Sequence, residues 1–220
     1  MTYLKIAIQK SGRLNEDSLN LLKECGISIN NGADQLMAQA SNFPLEVLYL
    51  RNSDIPQYVR DGVADVAILG ENTEIEKRTG NRRVLPLGFS RCRVSMAVPR
   101  DVPYEGLSYF QGKKIATSYP NTLSDFLKRE GIQAEIHEIS GSVEIAPGIG
   151  LAHAIFDIVS SGSTLFKNGL KEVYKVLDSQ AVLLANPDLS PEKQALLDQL
   201  VFRIKAVLTA RNCKYILLNA

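Results

Sequence analysis

The sequence predicts an α/β protein with mixed, largely parallel sheets, and three observations carry that expectation. Short apolar runs such as LKIAIQ (4–9), DVAILG (65–70) and KIATS (114–118) alternate with segments of helical periodicity. Glycine, proline, serine and asparagine punctuate the chain between them. The chain has 220 residues, 45% hydrophobic and 22% charged, enough for one large domain or two small lobes with a buried core.

LKIAIQ runs into Lys-Ser-Gly and reads as a buried strand ending in a tight turn. Asn15, Glu16 and Asp17 then open a helix, with the acids at its electropositive end. EVLYLR (46–51) is a second strand, DIPQYVRDG (54–62) a short helix stopped by glycine, and DVAILG a third strand. RVLPLGF (83–89), RVSMAVP (93–99), KIATS, EIHEI (135–139), EVYKVLD (172–178) and AVLLA (181–185) are further strands. NTLSDFLKREG (121–131) reads as a capped helix with a glycine stop. SPEKQALLDQLVFRIKAVLTAR (190–211) is the clearest helix. Ser190 caps it, Pro191 takes its first turn, and Leu196, Leu197, Leu200, Val201, Ile204, Val207 and Leu208 form one apolar stripe. The chain shifts character near 91–99, which favours two lobes with the last helix packing back on one of them.

A formal net charge of +1 provides no global field toward nucleic acid or a membrane. Cys25, Cys92 and Cys213 lie far apart, with no CxxC and no histidine at ligand spacing, which argues against zinc and for a reducing cytoplasm. The apolar start is too short for a signal peptide, and no stretch approaches a membrane span. A soluble cytoplasmic protein is expected.

No P-loop, HExxH or GxSxG motif occurs, and GIGLAH (148–153) has the wrong tail for a dinucleotide fingerprint. His137 and His153, the only histidines, have no sequence-near Ser or Cys partner of triad type. Three loops of one kind remain: QKSGRL (9–14), TSYPNT (117–122) and SSGST (160–164). A phosphate needs converging backbone amides, nearby hydroxyls and a glycine for close approach. Ser160, Ser161, Gly162, Ser163 and Thr164 supply these, and Asp157 upstream is placed to bond ribose hydroxyls. Lys10 and Arg13 flank a glycine after the first strand, where open α/β sheets bind ligands, and could neutralise a pyrophosphate. Plain turns, solvated cations, a turn-capping Asp65 and a solvated helix start at Glu71 and Glu74 are the competing readings. The residues alone reach as far as a phosphorylated ribose or nucleotide.

Four blocks carry a family resemblance: IAIQKSGRL (6–14), NSDIPQYVRDGVADVAILGEN (52–72), GKKIATSYPNTL (112–123) and SGSVEIAPGIGLAHAIFDIVSSGSTLFKNGL (140–170). With these the chain resembles the ATP phosphoribosyltransferases, over nearly its whole length. The resemblance implies a two-lobed, periplasmic-binding-protein-like (type II) fold with a cleft active site. Residues 1–91 plus about 180–220 would form one lobe, and 92–179 the lobe carrying the phosphoribosyl diphosphate loop. It implies transfer of the 5-phosphoribosyl group from 5-phosphoribosyl 1-diphosphate to N1 of ATP, with Mg²⁺ required. Positioning and electrostatic stabilisation would do most of the work.

Carried onto this sequence, the resemblance puts the 5-phosphate and ribose on residues 157–164, with Glu144 near the ribose. Lys10 and Arg13 would face the pyrophosphate or triphosphate, and Gly70, Glu71 and Tyr119 the ATP side. His153 stands where the family usually has an aspartate. Either it weakens or re-tunes Mg²⁺ or ribose binding, or the position is a helix cap and little changes. QKSGRL and the ending KYILLNA resemble the long form of the family, which continues into a histidine-binding regulatory domain absent from these residues; the short form uses a separate subunit. A homo-oligomer, or such a regulatory subunit, is the expected partner. A non-catalytic binding module on the same fold, and a phosphoribosyltransferase acting on a free base, are the alternative readings.

Overall fold

The computed structural model describes residues 2–30 and 35–211, so Cys213 and the KYILLNA ending lie outside the described residues. The chain opens with β1 (Leu4–Gln9), α1 (Arg13–Glu24), β2 (Met37–Gln39), β3 (Leu45–Leu50), α2 (Ile55–Arg60), β4 (Val66–Gly70), α3 (Glu71–Lys77) and β5 (Arg82–Pro86). It continues with β6 (Cys92–Pro99), β7 (Lys114–Thr117), α4 (Pro120–Glu130), β8 (Glu135–Glu138), β9 (Ala154–Val159), α5 (Ser163–Lys167) and β10 (Leu170–Ser179). It closes with β11 (Ala181–Ala185) and α6 (Pro191–Arg211). Two compact units result, Met1–Ser90 with Gln180–Ala220, and Arg91–Ser179.

The first unit is built on a sheet of order β2-β3-β1-β4-β11-β5. Its central strands read as continuous apolar runs because both faces are covered. Ile6, Ile8, Val66, Ile68 and Leu183 point into one core, which Leu21 and Leu22 of α1 and Leu197, Leu200 and Ile204 of α6 complete. Ala7, Ala67, Leu69, Val182 and Leu184 point the other way, against Ile55 and Val59 of α2. The α6 stripe therefore packs as its periodicity predicts, and Ser190 accepts the Lys193 N–H at 3.4 Å as its cap.

The second unit's sheet has the order β10-β6-β9-β7-β8. Val94, Met96, Val98 and Phe156 pack on Phe110, Leu123 and Phe126, while Ala97, Ile155 and Val159 face Leu165 of α5 and Val143.

Several elements depart from the expectation. The sheets are evenly mixed rather than largely parallel, with four parallel and five antiparallel pairings among the described residues. β11 and β6, each antiparallel to both neighbours, account for four of the five, and β2 with β3 for the other. α1 begins at Arg13, three residues before the first acid, Glu16, because Gly12 at φ 88 turns the chain into the helix. α4 begins at Pro120 behind Tyr119, so Asn121 lies inside the first turn and is not the cap; Gly131, left-handed at φ 68, is the stop as expected. β2, β9, α3 and α5 are elements beyond those expected from periodicity.

Asp65 is a structural residue. It is 3% exposed; its carboxylate accepts the Lys5 N–H at 2.8 Å and pairs with Lys193 Nζ at 2.7 Å. It thereby ties the first turn of α6 to the sheet. Replacing Asp65 by alanine removes a buried acceptor and strands a half-buried ammonium. Urea denaturation of Asp65→Ala should show a loss of about 2–4 kcal/mol.

Candidate functional site

In the first unit the parallel strands β1 and β4 end side by side, with Ile8 opposite Ile68. Lys10 follows β1 directly and donates its N–H to Leu50 O at 2.8 Å, so the loop leaves the sheet at the carboxyl edge. Asn15 Nδ2 bonds Gln9 O at 2.7 Å and Gln9 Nε2 bonds Ser11 O at 2.7 Å, which shapes the KSG turn. The Lys10 and Arg13 side chains are exposed, and Arg13 approaches Asp17 only at 3.9 Å. An exposed pair at that distance leaves the guanidinium able to meet an anion.

Gly70 ends β4 and precedes α3. A Cβ there would stand 2.5 Å from Asn72 Oδ1, and Asn72 is itself buried, so the glycine is required by close packing. Glu71 is ion-paired with Arg83. Glu74 is committed to the following turn, accepting Thr79 Oγ1 at 2.8 Å and the Asn81 N–H at 3.1 Å. Asn52, not singled out from the sequence, joins this edge: its Nδ2 donates to Thr73 Oγ1 at 2.9 Å, and its buried Oδ1 has no protein partner. The apolar-run signal that located β3 and β4 says nothing of a residue one step past a strand end.

In the second unit β7 and β9 are parallel, with Thr117 opposite Phe156. Their carboxyl ends therefore bring Tyr119, at the start of α4, and Asp157 to one edge. β9 passes into residues 160–162 and then α5, with Gly162 left-handed at φ 78. That conformation suits glycine and re-aims the chain into the helix, whose first-turn amides have no intrahelical acceptors. Ser161 Oγ and Ser163 Oγ lie 2.9 Å apart. Thr164 follows in the first turn, and its carbonyl accepts Asn168 Nδ2 at 2.9 Å.

Asp157 alternates with the buried apolar residues of β9, on the face that α5 and the turn at Val143–Ile145 cover. Burial pushes its carboxyl up to about 6, the Glu144 charge pushes the same way, and the Ile158 N–H opposes at 2.7 Å. The structure thus brings together Tyr119, Glu144, Asp157, Ser160, Ser161, Gly162, Ser163 and Thr164 within this unit, and Lys10, Arg13, Gly70 and Glu71 along the edge of the other.

His153 lies at the opposite end of β9 from this loop, about 20 Å along a strand of six residues. Its N–H donates to Lys114 O at 2.8 Å and its Nδ1 accepts the Lys114 N–H at 3.1 Å. It is a strand-entry residue and not a helix cap.

Comparison with known proteins shows the family. The family model described as ATP phosphoribosyltransferase matches residues 51–206. The ATP phosphoribosyltransferase of Cytophaga hutchinsonii is 59% identical over 99% of this chain and 76% of its own length. That of Phocaeicola vulgatus is 55% identical over 99% of this chain and 77% of its own. Among solved structures, an ATP phosphoribosyl transferase (HisG:HisZ) complex from Thermotoga maritima aligns with a TM-score of 0.80 and 27% identity, over 94% of this chain and 99% of that one. The substrate-binding protein of an amino-acid ABC transporter aligns over 94% of both chains with a TM-score of 0.61 at 13% identity, which speaks to fold alone and gives the periplasmic-binding-protein-like type II architecture. The chain belongs to the ATP phosphoribosyltransferase family, transferases of the first step of histidine biosynthesis.

Proposed function

We propose that residues 157–164 hold 5-phosphoribosyl 1-diphosphate by its 5-phosphate and ribose, and that this loop is the specificity element of the transfer to ATP. The observation that supports it most is the loop's placement at the carboxyl edge of β9, beside Glu144 and Tyr119, in a chain of this family. The amides around Gly162 and the hydroxyls of Ser160, Ser161, Ser163 and Thr164 match three phosphate oxygens. Asp157 as a carboxylate accepts from ribose hydroxyls, and Glu144 stands next to it. Lys10 and Arg13 supply positive charge for the pyrophosphate or triphosphate, and Gly70, Glu71 and Tyr119 serve the ATP side.

In the reaction adenine N1 forms a bond to the anomeric carbon as the bond to pyrophosphate breaks. Negative charge grows on the leaving group, so fixed cations and amides lower the barrier without a dedicated base. Mg²⁺ is proposed to enter as the chelate of the diphosphate. Among the described residues no group of three or more His, Cys, Asp or Glu could enclose a metal, which suits an ion ligated by phosphate oxygens and water. When bound it adds further neutralisation of the leaving group. We also propose a cytoplasmic homo-oligomer, with a separate regulatory subunit, as in the HisG:HisZ neighbour, as its alternative partner. The described residues contain no helix long and apolar enough to cross a membrane.

Incubation with ATP, 5-phosphoribosyl 1-diphosphate and Mg²⁺ in the presence of pyrophosphatase should yield phosphate and a new near-ultraviolet absorbance. Absence of both would overturn the assignment, and ligand binding without turnover would favour the non-catalytic module.

Asp157 also sets a pH dependence. Its carboxyl ionises near 6 in the folded protein against 3.8 ordinarily, so the stability of the unliganded fold is greatest with Asp157 protonated and is lost as pH rises through 6. Substrate binding has the opposite sign, because ribose hydroxyls need the carboxylate. kcat/KM for 5-phosphoribosyl 1-diphosphate should fall about tenfold per unit below pH 6, and Asp157→Asn should be lower but flat across that range. An unchanged profile in the variant assigns the ionisation elsewhere.

His153→Asp should leave kcat and both KM values within about twofold, since an aspartate can accept the same Lys114 N–H.

A further inference from the structure

β6 has an arginine at its start and another just past its end, and each grips one end of the β9–α5–β10 crossover. At the far end Arg100 donates Nη2 to Phe166 O at 3.0 Å and Nε to Leu170 O at 3.3 Å, with its guanidinium 3.6 Å over the Phe166 ring. At the near end Arg93 donates Nη1 to Ser160 O at 3.0 Å, at the first residue after β9. The remaining guanidinium nitrogens are committed to Glu172 on β10: Nε to Oε1 at 2.6 Å, and Nη2 to Oε2. Ser95, 1% exposed, fixes the same carboxylate from below, with Oγ donating to Oε1 at 2.8 Å.

A fork–fork pair holds a guanidinium in one plane and one orientation, which an ammonium cannot do. Here the plane is spent on a backbone carbonyl. Pinning Ser160 O directs the peptide at the mouth of the loop and so fixes where the following amides converge. Preorganised donors of this kind are worth most when a ligand's charge must be met without rearrangement.

We propose that Arg93, oriented by Glu172 and Ser95, is a positioning residue that sets the geometry of the 160–164 loop and thereby the affinity for 5-phosphoribosyl 1-diphosphate, without touching it. The inference rests on the assignment of that loop to the 5-phosphate. The Arg93 guanidinium beside Glu172 also holds that carboxyl below its ordinary range, in keeping with a pair that stays charged.

The test is a double-mutant cycle on steady-state kinetics with Arg93→Lys and Glu172→Gln, beside the loop variant Thr164→Val and thermal melts of all four proteins. Arg93→Lys should raise KM for 5-phosphoribosyl 1-diphosphate on the order of tenfold while KM for ATP and kcat change less than about twofold. Glu172→Gln, which keeps shape and acceptor, should move the same constant in the same direction, and the double variant should be no worse than Arg93→Lys alone. A lowered Tm with both KM values unmoved, equal rises for both substrates, or strict additivity would each reduce Arg93 to a stabilising contact and overturn the proposal. If Arg93→Lys does not fold, Glu172→Gln decides by the same criteria. The loop assignment is judged separately: Thr164→Val without effect on that KM would overturn it, whereas an effect there together with a silent Arg93→Lys would sink the present inference alone.

Discussion

The first unit depends on β11. Its five residues are all buried and lie antiparallel to β4 on one side and β5 on the other. Val182 and Leu184 enter one core while Ala181, Leu183 and Ala185 enter the other. Without this strand β4 would be an open edge, with a row of unpaired peptide groups beneath two helices, and β5 would have no sheet to join. The ladder also reaches past the strands: the Glu71 N–H bonds Gln180 O at 2.9 Å and the Leu87 N–H bonds Ala181 O at 2.9 Å. Glu71 and the start of α3 are thus placed by a segment more than a hundred residues downstream.

Antiparallel closure has a consequence for chemistry. In each sheet three neighbouring parallel strands present their carboxyl ends together near the proposed residues, β3, β1 and β4 in one and β8, β7 and β9 in the other. Ligand loops in open α/β sheets gather at such ends, because the chain must turn there into a helix and its first amides are free. Lys10 and Gly70 stand at one such edge, and Tyr119 and Asp157 at the other. The antiparallel neighbours β11 and β6 contribute rigidity instead of loops. Asp157 sits in a strand among apolar residues, where burial disfavours its charge.

Periodicity revealed the parts of this molecule that are local. LKIAIQ is β1 without a shift of boundary, and the α6 stripe lands on α1 and β1 as its spacing requires. β9 escaped because Asp157 interrupts its apolar run and Ser160–Gly162 pulls attention to the loop beyond it. The cluster of glycine and hydroxyl residues at 160–164 is legible in the sequence as a turn out of a strand, and Gly162 makes that turn into α5. The loop's support is not legible. Arg93 and Glu172 are separated by 79 residues and Asp65 and Lys193 by 128, and no pattern within a helix turn or a strand pair links residues that far apart. Each taken singly looks like a solvated charge.

His153 shows how a departure from a family's spelling should be weighed. A histidine in place of an aspartate within a signature block suggests altered chemistry as long as the block is treated as a string. In the fold the block divides by function along β9: its last residues shape the loop, while its first residue only joins the strand to β7. Both side chains offer an acceptor at the right reach for the Lys114 N–H, and the exchange keeps that bond. The histidine therefore falls on the part of the block that builds the sheet, at the opposite end of β9 from the proposed loop.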